Sequence, residues 1–149
     1  MQATSTSNSD RLVLRTALPE LERLTTWLQH LARGAGLEDD MAFALQLCLE
    51  EAVANIVMYS GLQEAAPITI EIAHSGGIIT ATVADSAVPF DPTQVPPREK
   101  PTSLEKTRVG ELGVHLMRQY SSEMRYERRG DHNLLTLRFD RAKTPAAWA

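Results

Sequence analysis

The chain has 149 residues, the length of one domain. At 43% hydrophobic and 23% charged its composition is globular, which excludes a coiled coil, a collagen-like fibre or wholesale disorder. A formal charge of -4 argues against non-specific nucleic-acid binding, which needs cations to neutralise phosphates, and favours protein or small-molecule partners.

Residues 1–9 are polar and Ser/Thr-rich and read as a loose tail. The segment lacks the basic and apolar regions of a signal peptide, and no stretch approaches the ~18 apolar residues of a membrane span, so the expected location is the cytoplasm. Arg11 to Leu18 alternates as a strand. Pro19 opens a helix whose Leu21, Leu24, Trp27, Leu28 and Leu31 fall at helical spacing, and Gly34 and Gly36 end it. Asp39 and Asp40 cap a second helix, from about Met41 to Tyr59, apolar around most of its circumference and therefore widely buried. Its Cys48 is the chain's one cysteine, so no intramolecular disulfide forms, and it reads as a small core residue. One Cys and four scattered His make no zinc set.

Pro67–Ala73 and Ile78–Ala84 alternate around Ser75-Gly76-Gly77, a hairpin signature. Residues 85–110 lose periodicity and hold five of the eight prolines, a long connection of the functional or disordered kind. Leu112–Tyr120 reads as a helix, Met124–Arg129 and Leu134–Phe139 as a second hairpin around Gly130-Asp131, and 141–149 as a tail. The order β-α-α-β-β-loop-α-β-β, with strands joined mostly by hairpins, implies a two-layer α/β sandwich: a mixed or antiparallel sheet with helices on one face.

Three features point to chemistry. Glu51 and Asn55 lie one turn apart on the apolar second helix, where a buried carboxylate needs a partner or a metal; the alternative is an exposed stripe shared with Gln46 and Glu50. Asp85 ends a strand where the irregular connection begins, as a ligand contact or an Asx-turn. Gly110-Glu111-Leu112-Gly113 opens a helix, where main-chain N–H groups favour anions, though a lone G-x-x-G is commonly loop geometry. Trp27 and Phe43 read as core, and His115 as packed or exposed rather than catalytic.

In this order and spacing the features resemble the GHKL (Bergerat-fold) ATPase superfamily, and within it the bacterial anti-sigma-factor serine/threonine kinases. EEAVANIVMYSG (50–61) is similar to that family's E-A-x-x-N box, VADSAVPFDP (83–92) to its D-x-G-x-P/G-F-D-P box, and VGELGVHLMRQYSSEMRYERRGDHNLLTLRF (109–139) to its glycine motif and closing strands. The resemblance covers residues 10–140. It implies an enzyme that binds ATP/ADP with Mg2+ and phosphorylates a Ser/Thr of a STAS-domain anti-anti-sigma protein. That antagonist would compete with a sigma factor or other target, and the kinase would be a homodimer joined through the sheet edge near Arg11–Leu18. By the same resemblance Glu51 is the general base and Asn55 the Mg2+ ligand. Asp85 receives the adenine amino group, with Ala87, Pro89 and Phe90 around the base. Gly110, Leu112 and Gly113 line the phosphates, and residues 91–109 form a lid carrying Lys106 and Arg108 toward the γ-phosphate. Two positions depart from the pattern: Ala87 and Glu111 stand where glycine is usual. These departures favour a second reading, a non-catalytic module that sequesters a partner with weak or no nucleotide binding. With no phosphoacceptor-histidine helix read upstream of the domain, a complete sensor histidine kinase is not expected.

Overall fold

The computed structural model describes residues 8–96 and 111–143. Strands β1 (Asn8–Arg15), β2 (Pro67–Ser75), β3 (Ile78–Asp85), β4 (Glu123–Arg129) and β5 (His132–Asp140) form one sheet in the order β1-β2-β3-β5-β4. Every adjacent pair is antiparallel, so the sheet is not mixed. Helices α1 (Glu20–Ala35), α2 (Asp39–Tyr59) and α3 (Glu111–Tyr120) pack on one face, which gives the two-layer sandwich the pattern implies.

Strand alternation sets the two faces. Leu12 and Leu14, Ile68, Ile70 and Ile72, Ile79, Ala81 and Val83, and Leu137 and Phe139 point into the core. On the open face the register aligns Arg11, Glu71, Thr82, Thr136 and Arg125 across all five strands. The β2–β3 turn needs both Gly76 (φ +57°) and Gly77 (φ +80°), a left-handed pair that suits a two-residue hairpin.

The first strand is displaced from the expected span. It begins at Asn8, so Asn8 and Ser9 pair with His74 and Ala73 rather than joining the tail. It stops at Arg15 because Thr16 leaves the ladder: its N–H reaches Glu64 O (3.0 Å) and its hydroxyl Ala66 O (2.8 Å). Ala17 and Leu18 then turn into α1. Pro19 occupies the N-cap position, outside the first turn. Gly36, at φ +63°, ends α1. Asp39 and Asp40 are not caps; Glu38 holds that position, and the two acids lie in the first turn, where they complement the helix dipole. At the other end of the chain, Arg141 bonds Asp40 from a short 3-10 turn over Arg141–Lys143.

α2 is the central core helix. Met41, Ala44, Leu45, Cys48, Leu49, Ala52 and Val53 are buried along one stripe at three- and four-residue spacing. Contrary to the sequence expectation, α2 is long and apolar enough by composition to cross a membrane, yet that stripe is spent on the sheet and the other helices. Phe43 departs from its expected place in the core. It is 57% exposed and meets Tyr120 edge-on at 5.7 Å, because it lies off the buried stripe. Trp27 packs against the core from α1.

Candidate functional site

Glu51 and Asn55 lie where α2 meets the first turn of α3, and Gly113 is the contact. A Cβ placed on Gly113 would lie 2.7 Å from Glu51 Oε2 and 3.2 Å from Asn55 Nδ2, so with glycine here the two side chains keep these positions, which a methyl would force them to leave. Burial, and then the charge of Glu50, raise the Glu51 carboxyl above its ordinary pKa. Glu50 does not share a solvent stripe with it. It accepts hydrogen bonds from Thr25 Oγ1 (2.5 Å) and Gln46 Nε2 (3.1 Å), which joins that side of α2 to α1.

Asp85 is 7% exposed at the end of β3, in register with Asn133 on β5. Its Oδ1 accepts from Ala87 N (2.8 Å), closing an Asx-turn, and from Asn133 Nδ2 (3.0 Å). No described residue bonds Oδ2, so the turn and a ligand contact are compatible readings of one carboxylate. Ala87 is buried without a positive φ, so its methyl carries no backbone strain.

Three residues that the sequence reading missed hold this corner. Asn133 Nδ2 also donates to Ala87 O (3.3 Å) and Val88 O (3.0 Å). Its Oδ1 accepts from Tyr126 OH (2.5 Å) and Arg128 Nη1 (3.1 Å), and Arg128 Nη1 also reaches Ala87 O (2.7 Å). The available signal was alternation: Asn133 is in phase with buried Leu137 and Phe139, and an amide on a core-facing position needs a polar partner.

Between α2, the end of β3 and the start of α3 lies a cavity of about 550 Å³, bounded by Asn55, Asp85, Ala87, Pro89, Phe90 and Glu111. A recess of about 60 Å³ behind it is again bordered by Asn55, Asp85 and Phe90. The structure thus gathers five of the expected site residues around one space. Glu51 and Gly113 stand beside it, and Leu112 is 46% exposed and outside its lining. Lys106, Arg108, Gly110 and most of the expected lid (97–109) lie outside the described residues. The lining carries three carboxylates, Asp85, Asp91 and Glu111, and no Lys or Arg among the described residues. Those residues also hold no cluster of three His, Cys, Asp or Glu able to bind a metal.

Residues 14–139 match the model of the histidine kinase-like ATPase domain. The serine/threonine-protein kinase BtrW of Bordetella bronchiseptica is 30% identical over 132 residues, 88% of this chain and 93% of BtrW. The RsbU and RsbW domains of Rv1364c from Mycobacterium tuberculosis superpose with a TM-score of 0.66 at 14% identity, over 90% of this chain; the chain spans 32% of that longer one. The histidine kinase domain of the blue-light-activated EL346 protein from Erythrobacter litoralis gives a TM-score of 0.51 at 13% identity, over 100% of this chain and 74% of that one. The two structural likenesses speak for the fold, and the family match and BtrW for descent. This chain belongs to the histidine kinase-like ATPase (GHKL) family, in its anti-sigma-factor serine/threonine kinase branch.

Proposed function

We propose that the chain is an ATP-dependent protein serine/threonine kinase working in a cytoplasmic partner switch. Its acceptor is a Ser/Thr of a STAS-domain anti-anti-sigma protein, its alternative partner a sigma factor or other regulated target, and its working form a homodimer joined along the β1 edge. One observation carries the reading: Gly113 brings the first turn of α3 onto Glu51 and Asn55 beside a cavity headed by Asp85.

The base of ATP would enter between Asp85, Ala87, Pro89 and Phe90, with Asp85 accepting from the adenine amino group. The phosphates would lie at the start of α3, near Gly110, Leu112 and Gly113, with Lys106 and Arg108 toward the γ-phosphate. Asn55 suits Mg2+, which typically takes one or two protein oxygens and fills its shell from phosphates and water. When bound, the ion neutralises phosphate charge. Glu51 would take the proton of the acceptor hydroxyl as that hydroxyl's oxygen bonds the γ-phosphorus and the bond from phosphorus to the ADP oxygen breaks. Its raised pKa makes it the stronger base for this.

The three carboxylates around the cavity repel bare nucleotide and favour the second reading, a partner-sequestering module. One experiment separates the two. Calorimetry on wild type and Asn55→Ala, with folding checked by circular dichroism, should show nucleotide binding that requires Mg2+ and is lost in the variant. Wild-type protein that binds neither ATP nor ADP at millimolar concentration would leave the sequestering module as the better account.

A further inference from the structure

Asp91, Pro92 and Thr93 build a short turn with an unusual occupant. Asp91 Oδ1 accepts from Thr93 N (2.9 Å) and Thr93 Oγ1 (2.5 Å), and Pro92 opens a single 3-10 turn over Pro92–Gln94. The carbonyls of this turn converge on Arg118 of α3. Its Nη2 donates to Pro92 O (3.0 Å), Thr93 O (3.1 Å) and Val95 O. These described partners are all main-chain oxygens, and among the described residues Nη1 is buried without a partner. A half-buried guanidinium without a carboxylate is costly unless oriented dipoles compensate it, and carbonyls at the end of a helical turn supply them.

The wrapped segment is also a wall of the cavity: Asp91, Gln94, Val95 and Pro96 line it. The helix that supplies Arg118 carries Gly113, which touches Glu51 and Asn55. One cation therefore ties the wall of the cavity to the element that faces the reacting pair.

We infer that Arg118 is a positioning residue of the nucleotide site: it is the template on which residues 92–95 fold, and it holds that wall in fixed relation to Gly113, Glu51 and Asn55. The inference rests on the ATP-kinase reading above. It assigns no contact between Arg118 and substrate; Arg118 acts through the wall.

The test compares wild type, Arg118→Met and Arg118→Lys in the full chain. Melting temperature, ADP affinity by calorimetry, and KM for ATP and kcat would be measured. Lysine keeps the charge and three donors on a shorter stem. Arg118→Met should weaken ADP binding about tenfold or more, the scale for losing hydrogen bonds to a charged group. Its KM should rise by a larger factor than its kcat falls, and Arg118→Lys should recover part of the affinity. A Met variant that binds ADP as wild type does, or a Lys variant that recovers stability without affinity, overturns the inference. If Arg118→Met does not fold, hydrogen exchange of the wild-type chain decides. The amides of Thr93, Gln94 and Val95 should gain protection with saturating ADP, and no gain overturns it. Wild type that binds no ADP sinks the kinase reading and this inference together, whereas normal wild-type binding with indifferent variants sinks only this inference.

Discussion

Glu51 combines two opposed requirements in one side chain. Burial and Glu50 raise its proton affinity, which strengthens it as a base and destabilises its charged form in the fold. The folded pKa thus lies above the unfolded value, ordinarily 4.5. Below that value both states are protonated and nothing is lost. As pH rises through the unfolded and then the folded pKa, the unfolded chain gives up its proton more readily and stability falls. Glu51→Gln should therefore cost phosphotransfer, by roughly 10²–10⁴-fold, while melting higher than wild type near about pH 8. The gain should vanish toward about pH 4, where both carboxyls are neutral. Thermal melts of both proteins across that range check it, and a variant less stable than wild type at the alkaline end would contradict it. The identity of Glu51 as a candidate was legible from spacing alone. Its separation from Glu50 was not, because that depends on Thr25 of another helix.

At the scale of elements, the seam between α2 and α3 decides the site. Alanine is favoured over glycine inside a helix by about 1 kcal/mol, so Gly113→Ala would stabilise α3 taken alone. In place, its methyl would meet the Glu51 carboxylate at 2.7 Å, and the flexible end of that side chain is the group able to move. We expect a folded variant with a melting temperature close to that of wild type, low phosphotransfer, and ADP affinity reduced less than activity. Full activity in the variant would refute this account of the seam. Elements were read well where one periodicity ruled. The β2–β3 hairpin and α2 followed their apolar patterns, since alternation and the 3.6-residue repeat are local. β1 was misplaced because its last turn is set by Glu64 and Ala66, fifty residues away in sequence. Phe43 was misplaced because an all-apolar helix does not announce which side will be covered.

For the whole molecule, hairpin count and helix order were enough to give the two layers, but not the strand order. β5 lies between β3 and β4, which sets Asn133 opposite Asp85 and closes the corner of the cavity. No local pattern contains that pairing. The same long-range closure places Cys48 under α3. Its thiol donates to Met117 O at 3.9 Å and is pushed up to about 12 by burial and by Glu51. A thiol in that state has almost no thiolate in the native protein, and it is the thiolate that attacks a disulfide reagent, expelling the reagent's other sulfur as a thiolate. The chain therefore carries its own clock for opening: an aromatic disulfide reagent will mark Cys48 only in molecules whose helices have momentarily parted from the sheet. Labelling in native buffer should be slow and should slow further with saturating Mg-ATP, since a ligand that binds only the closed form depletes the open one. Rapid labelling without denaturant would mean that the helical layer lifts far more often than its packing implies.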